Sequence, residues 1–91
     1  MVERKDNTIF VGKKPNMSYV LALVMQFGDG QQTVHVKARG RSISKAVDIS
    51  QILVNRYARD VKVASVQIGT EKVQGEGREL NVSSIDITLS K

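Results

Sequence analysis

Two short basic segments hold the residues of this chain that are best suited to bind an anion. The first contains Lys13 and Lys14, and the second contains Lys37, Arg39 and Arg41. Each segment lies where a predicted strand passes into a predicted helix, and a helix N-terminus offers unpaired N–H groups and the positive end of its dipole. Either segment alone could equally be a solvated loop. Two such segments in one small domain favour a phosphate-binding surface.

The acidic residues and the single histidine do not form a recognisable catalytic or metal site. His35 has no second histidine and no cysteine beside it in the sequence, so a solvent-side or interface strand residue explains it better than a metal ligand or base. Asp29, Asp48 and Asp60 fall in separate elements without an acid, base or nucleophile partner. Gly12 and the two lysines after it lack the Gly-rich stretch of a Walker loop. The sequence predicts a protein that is not an enzyme and uses no cofactor, no metal and no small-molecule substrate.

Length and charge indicate one small basic domain. The 91 residues have a formal net charge of +5, which suits a polyanion such as nucleic acid. A domain of this size buries only about 60–65% of its unfolded surface, so burial in an oligomer would help it. We predict a flexible N-terminal tail over residues 1–7 and a single domain over residues 8–91. With no apolar run near the ~20 residues of a membrane span and no apolar signal-peptide core, we expect no membrane contact and a cytoplasmic location.

The first half of the domain predicts two strands around one helix. Residues 8–11 form a short apolar, β-branched run, and residues 33–38 alternate apolar and polar side chains as a half-buried strand does. Between them, Pro15 suits the first turn of a helix that residues 28–30 end. The apolar face of this helix is predicted to consist of Met17, Val20, Leu21, Val24 and Phe27.

The second helix has more apolar surface than a monomer needs. It is predicted to begin near Ser42 or Ser44, either of which could cap it, and to end at about Tyr57 or Ala58. One face comprises Ile43, Ala46, Val47, Val54 and Tyr57. A second face, rotated from the first, comprises Ile49, Ile52 and Leu53. A partner subunit would explain the surplus, so we predict a homodimer interface on the second face.

Two long β-rich stretches complete the chain, at residues 61–73 and 80–89, and the glycine-containing turn between them predicts a hairpin. Within the last strand the apolar phase changes, which predicts either a bulge or a switch of the buried face near Ser83 and Ser84. The element order is βαβαββ. It predicts an α+β two-layer sandwich, in which a mixed four-stranded sheet carries both helices on one face.

The aromatic residues distinguish two kinds of nucleic-acid-binding protein. The chain has two Phe, two Tyr and no Trp, and all four rings fall at core-like or interface-like positions. None is left for a platform on which single-stranded bases could stack. The sequence therefore favours contacts with phosphates and groove shape, with weak sequence preference.

Several motifs together resemble the Alba family of small archaeal chromatin and RNA-binding proteins, which has eukaryotic relatives. The motifs lie within residues 9–91 and are Gly12-Lys13-Lys14-Pro15, Met17 with Tyr19-Val20-Leu21, residues 37–48 (KARGRSISKAVD), Asn55-Arg56 followed by Tyr57, and residues 81–87 (NVSSIDI). The family's fold is similar to the C-terminal domain of bacterial translation initiation factor three. That fold has the element order predicted above.

The resemblance also implies roles for individual residues. It implies a homodimer whose two basic loops grip the backbone of double-stranded DNA or RNA while its two hairpins reach along the minor groove. In the matching residues, Lys13 and Lys14 would be the loop lysines, Arg39 and Arg41 the second basic pair, and Arg78 the arginine of the hairpin tip. Lys13 also resembles the lysine whose acetylation weakens binding in some members.

Two features qualify this picture. Tyr57 is most simply a packing residue at the helix end, and the resemblance allows it a dimer-to-dimer contact along DNA. Glu76 and Glu79 flank Arg78, so the hairpin tip departs from the family's pattern in having no net positive charge.

The leading hypothesis is a homodimeric, largely non-sequence-specific DNA- and RNA-binding protein that coats or compacts nucleic acid and is chromosome-associated. The alternative is an RNA-binding scaffold subunit of a ribonucleoprotein, in which the basic surface docks one structured RNA and the surplus helix face binds a different protein. A small hydrolase that uses Arg39 or Arg41 as an anion clamp is the weakest hypothesis, because the chain offers no nucleophile.

Overall fold

Five strands form one mixed sheet in the computed structural model, which describes residues 4–5 by their backbone and residues 7–91 in full. The strands are β1 (Arg4–Lys5), β2 (Thr8–Phe10), β3 (Thr33–Arg39), β4 (Lys62–Gly75) and β5 (Arg78–Ser90). The helices are α1 (Asn16–Gly28) and α2 (Ile43–Ile52), with a 3₁₀ turn (Gly40–Ser42) before α2 and a π turn (Leu53–Tyr57) after it.

The sheet order is β1-β2-β3-β5-β4, in which β2 and β3 are parallel and all other neighbours are antiparallel. The predicted α+β fold, with a mixed sheet of the four longer strands, is confirmed. Arg4–Lys5 lie within the predicted tail and add a two-residue edge strand to β2. Residues 1–3 and 6 of that tail lie outside the described residues, so the domain boundary at residue 8 stays a prediction.

Both helices pack on one face of the sheet, as predicted. Residues that pair across strands share a face, so the burial of Val36 and of its partner Ile87 identifies the helix side. The opposite face, which we term the open face, carries His35, Lys37 and Arg39 of β3. The core holds the following residues: Ile9, Val11, Tyr19, Val20, Leu23, Phe27, Val34, Val36, Ala38, Ala46, Ile49, Leu53, Val61, Ile85, Ile87 and Leu89.

Helix α1 begins one residue later than predicted. Pro15 stands at the N-cap with ψ of 150°, an extended conformation, so Asn16 is the first helical residue. The predicted end is confirmed: Gly30 has φ of 101°, in the left-handed region that favours glycine, and its N–H donates to the Phe27 carbonyl. The buried face is rotated from the predicted one, because Met17 and Leu21 are exposed. Val20 and Phe27 are buried as predicted, and Tyr19 and Leu23 are buried in place of the two exposed residues.

Helix α2 buries residues from both predicted apolar faces: Ala46 belongs to the first, and Ile49 and Leu53 belong to the second. Ala46, Ile49, Ser50 and Leu53 form its buried stripe at helical spacing. Ser50 conceals this stripe in the sequence, and it is buried because its hydroxyl donates to the Ala46 carbonyl at 2.9 Å. Neither predicted serine caps the helix through its side chain, since the 3₁₀ turn leads directly into α2.

The hairpin of β4 and β5 turns at Glu76 and Gly77, and Gly77 has φ of 73°. The predicted bulge is wrong, because pairing runs unbroken through Ser83 and Ser84. Leu80, before the change of apolar phase, is 42% exposed, so a switch of the buried face stays a prediction. The register shift lies in β4, between Val63 and Ser65. No helix in the described part of the chain is long and apolar enough to cross a membrane.

Candidate nucleic-acid interface

The parallel pairing of β2 and β3 brings the two basic segments together. Parallel strands end at the same edge of a sheet, so the loop after β2 and the turn after β3 are neighbours. The Val11 N–H continues the pairing with a bond of 2.9 Å to the Lys37 carbonyl. Gly12, from the first segment, and Ser42, the residue after the second, line the same groove. The two helices begin at this end.

Three exposed cations at this end of the domain have no carboxylate partner among the described residues. Lys13, Lys14 and Arg41 are exposed and form no ion pair there. We term these three residues the basic end. A charge without a carboxylate partner can exchange its counterion for a phosphate at no cost in a broken ion pair.

The other two basic residues of the second segment are paired on the open face. Arg39 Nη1 lies 3.6 Å from Glu71 Oε1, and Lys37 Nζ lies 3.8 Å from Asp86 Oδ2. Arg39 and Glu71 are both more than half exposed, so their pair is weak and water can compete for it. Arg39 therefore lies beside the basic end, and its charge is partly neutralised by Glu71.

Tyr19, a buried tyrosine for which the sequence predicted no role at the site, holds the first loop in place. The Tyr19 hydroxyl accepts bonds from the Gly12 N–H at 2.8 Å and from the Lys14 N–H at 3.2 Å. Tyr19 is 2% exposed, and Lys45 Nζ lies 5.6 Å from its ring centroid. The signal was present in the sequence, since a buried tyrosine needs a partner for its hydroxyl and Tyr19 is one helical turn from the loop.

Arg78 does not join the basic end within one chain. It is the first residue of β5 and pairs with Gly75 at the far end of the hairpin. Ser84, which pairs with Arg39, is six residues further along β5. At ~3.3 Å per residue, Arg78 therefore lies about 20 Å from the level of Arg39.

The predicted surplus face of α2 needs correction. Ile49 and Leu53 are 0% exposed within the single chain, so they belong to its own core and cannot form a free face. Ile52 packs partly buried against that core. Tyr57, at the end of the π turn, is 51% exposed, so it retains surface for a contact between chains.

One exposed apolar surface lies where β4 extends past α2. Val66 and Ile68 pair with Ile87 and Ile85, which places them on the helix side, yet neither described helix covers them. Ile68 is 83% exposed. We term this surface the apolar flank, and it consists of Val47, Val63, Val66 and Ile68.

Phe10 and His35 both lie on the open face. The expectation that every ring is in a core-like or interface-like position, with none left for stacking, is wrong for Phe10, which is 40% exposed on the open face. His35 Nδ1 lies 3.2 Å from Asp86 Oδ1 and 3.1 Å from Thr88 Oγ1, as a strand residue in a polar cluster.

Comparisons with known proteins identify the family and agree with the fold. The sequence matches the Alba family over residues 7–70. It is 49% identical to the DNA/RNA-binding protein Alba of Thermoplasma volcanium, over 96% of this chain and 98% of that protein. It is 50% identical to the protein of the same name from Methanocella arvoryzae, over 96% of this chain and 92% of the relative.

A solved structure gives the same answer. Alba from Thermoplasma volcanium superposes with a TM-score of 0.91 at 50% identity, covering 93% of this chain and all of that one. Motifs, topology and whole-chain identity therefore agree, and this chain belongs to the Alba family.

Proposed function

We propose that this chain is a homodimeric, largely non-sequence-specific DNA- and RNA-binding protein that coats or compacts nucleic acid through its phosphate backbone. The observation that carries the proposal is the basic end, where three exposed cations without carboxylate partners in the described chain come together from two loops. Relatives named DNA/RNA-binding protein Alba support the class of ligand. A cytoplasmic protein of this kind would be chromosome-associated.

Geometry favours phosphates over base edges as the ligand of the basic end. The lysines are flexible point charges on a loop, whereas base readout needs side chains held at fixed positions. Arg41 can fork toward a phosphate in a bidentate pair. Such contacts depend little on sequence, which is the behaviour needed to coat nucleic acid.

The apolar flank supports the homodimer. Val47, Val63, Val66 and Ile68 are exposed on one side of the chain, and a small domain gains from covering such a surface. A two-fold axis through the flank would join two basic ends and raise the formal charge from +5 to about +10. Two basic ends on one particle would span more of a nucleic-acid backbone than one.

The subunit interface can be tested by placing a charge on the flank. Ile68→Glu should convert the dimer into a monomer that binds nucleic acid at least ~10-fold more weakly, because a buried unpaired carboxylate is costly and the monomer carries only one basic end. Leu21→Glu is the matched control, since Leu21 is exposed on α1 away from the flank. Light scattering measures the oligomeric state. A wild-type monomer at micromolar concentration would contradict the dimer.

The nucleic-acid function can be tested by comparing ligands at one salt concentration. Random duplex DNA, duplex RNA and one structured RNA should bind with affinities within about tenfold of each other, because all three present phosphates. A preference for the structured RNA by orders of magnitude would favour the alternative, a scaffold subunit of a ribonucleoprotein. No binding to any of the three would contradict both.

A further inference from the structure

One row of open-face side chains crosses four strands beside the basic end. Phe10 of β2 pairs with Lys37, Lys37 pairs with Asp86, and Asp86 pairs with Gln67 of β4. Paired residues share a face, so all four side chains lie together on the open face. The row begins with the exposed ring of Phe10. It ends with the side-chain amide of Gln67, which forms no hydrogen bond with a described residue.

The next row makes the surface concave. Arg39 pairs with Ser84 and Ser84 pairs with Gly69, so two small residues follow one large one. The result is a groove of about 850 Å³ whose lining includes both rows. Its rim carries the Arg39–Glu71 pair on one side and the Phe10 ring on another.

The chemistry of this groove differs from that of the basic end. Its two cations are balanced by Asp86 and Glu71, so it offers little net charge to a phosphate. It does offer hydrogen-bond donors and acceptors side by side, together with an apolar ring face. A nucleobase has this combination of a flat π surface and an edge that both donates and accepts.

The groove is also continuous with the proposed phosphate contacts. Its lining includes Gly12, the residue before Lys13, and Ser42, the residue after Arg41. A strand whose phosphates lie on the basic end would therefore run along the rim of the groove. A duplex keeps its bases stacked and paired, whereas a single strand can turn one base into the groove.

We propose that the open-face groove binds one unpaired nucleobase of a single strand, stacked on Phe10, with Gln67 and the Lys37–Asp86 pair at the base edge. This inference rests on the proposed function, because the basic end must hold the neighbouring phosphates. It assigns the chain a second mode of binding, specific for single strands.

The test uses Phe10→Leu, which retains an apolar side chain of similar volume and removes the ring. Affinity for a short single-stranded RNA should fall about 5–10-fold, while affinity for duplex DNA of the same sequence should be unchanged. Single-stranded DNA is tested in parallel to separate recognition of the base from recognition of the ribose. Equal losses of affinity on RNA and DNA in Phe10→Leu indicate that the ring contacts the base alone. A loss on RNA alone indicates that a contact to the ribose 2′-OH positions the base on the ring.

A spectroscopic readout reports the stacking itself. The fluorescence of RNA that contains 2-aminopurine should be quenched when the RNA binds the wild type. The quenching should be lost with Phe10→Leu. Gln67→Ala, which changes an exposed side chain, should lower single-strand affinity about twofold to fivefold without altering the melting temperature.

Failure of the inference is distinguishable from failure of the proposed function. Equal affinities of wild type and Phe10→Leu for single strands, or an equal loss on duplex DNA, would overturn the groove as a base site. Absence of wild-type binding to duplex DNA would instead overturn the proposed function.

Discussion

The basic end and the open face carry similar numbers of cations and differ in what lies opposite them. At the basic end, Lys13, Lys14 and Arg41 project from loops with no carboxylate partner in the described chain. On the open face, Lys37 and Arg39 lie across strands from Asp86 and Glu71 and are paired with them. Lys37 and Asp86 are direct cross-strand neighbours, and Arg39 reaches Glu71 across the intervening strand β5, so the sheet brings both cations close to a carboxylate.

The number of basic residues therefore overstates the positive charge that is available to a polyanion. An exposed ion pair is worth little to stability, yet its carboxylate still competes with a phosphate for the cation. The basic end should therefore dominate affinity and its salt dependence. The open face should contribute contacts that depend on the kind of nucleic acid.

Removal of the two loop lysines should have the largest effect on nucleic-acid affinity. Lys13→Ala with Lys14→Ala should lower affinity for duplex DNA about 100-fold at low salt, because a dimer loses four charge-assisted contacts. Lys62→Ala is the control, since Lys62 is exposed at the opposite end of the sheet, where it pairs with Ser90. Fluorescence anisotropy measures both. A loss of less than about threefold in the double variant would show that the basic end is only solvated.

A single neutralised charge should have a smaller effect. Lys13→Gln, an imperfect mimic of the acetylated side chain, should weaken binding about 5–30-fold per dimer, at about 0.5–1 kcal/mol for each lost contact. Lys13→Arg should bind like the parent, because it retains the charge and the reach. Equal affinities for the two variants would transfer the contact from Lys13 to Lys14.

The position of the loop can be altered without changing any charge. Tyr19→Phe removes the acceptor of the Gly12 and Lys14 N–H groups and should cost about 1 kcal/mol of stability. Affinity should fall about threefold, because a looser loop must be ordered on binding. Thermal melts and anisotropy measure the two effects. Unchanged affinity at unchanged salt would show that the loop is held by other contacts.

The smallest expected effect is a gain. Glu71→Gln releases Arg39 from its partner and should raise duplex affinity about twofold to threefold, with a steeper salt dependence. Asp48→Asn is the matched control, because it removes the same charge from an exposed position on α2. If both variants gain equally, net charge alone explains the effect and the Arg39–Glu71 pair has no role.

The element order and sheet type could be read from the sequence because periodicity and turn residues are local signals. The buried stripe of α2 could not, because Ser50 interrupts it and becomes compatible with burial only through its bond to Ala46. The same limit applies to α1, where an unbroken apolar run over residues 20–25 leaves the direction of the buried face undetermined.

Prediction of the candidate site divides in the same way. The two basic segments could be found from charge and position, and parallel pairing of β2 and β3 brings them together. Which cations remain unpaired depends on strand register, which places Asp86 opposite Lys37 across nearly fifty residues of sequence. The exposure of Phe10 depends on the register of β2 with β3, because a shift by one residue would turn its ring toward the helices.

The salt dependence of duplex DNA binding measures how many cations of the two segments contact phosphate. We expect three of the five in each chain to do so. With about six phosphate contacts per dimer, the slope of log affinity against log salt should be about −5. A slope near −9 would mean that Lys37 and Arg39 bind phosphate as well, so that their ion pairs do not matter. A slope near zero would contradict phosphate binding by the basic end altogether.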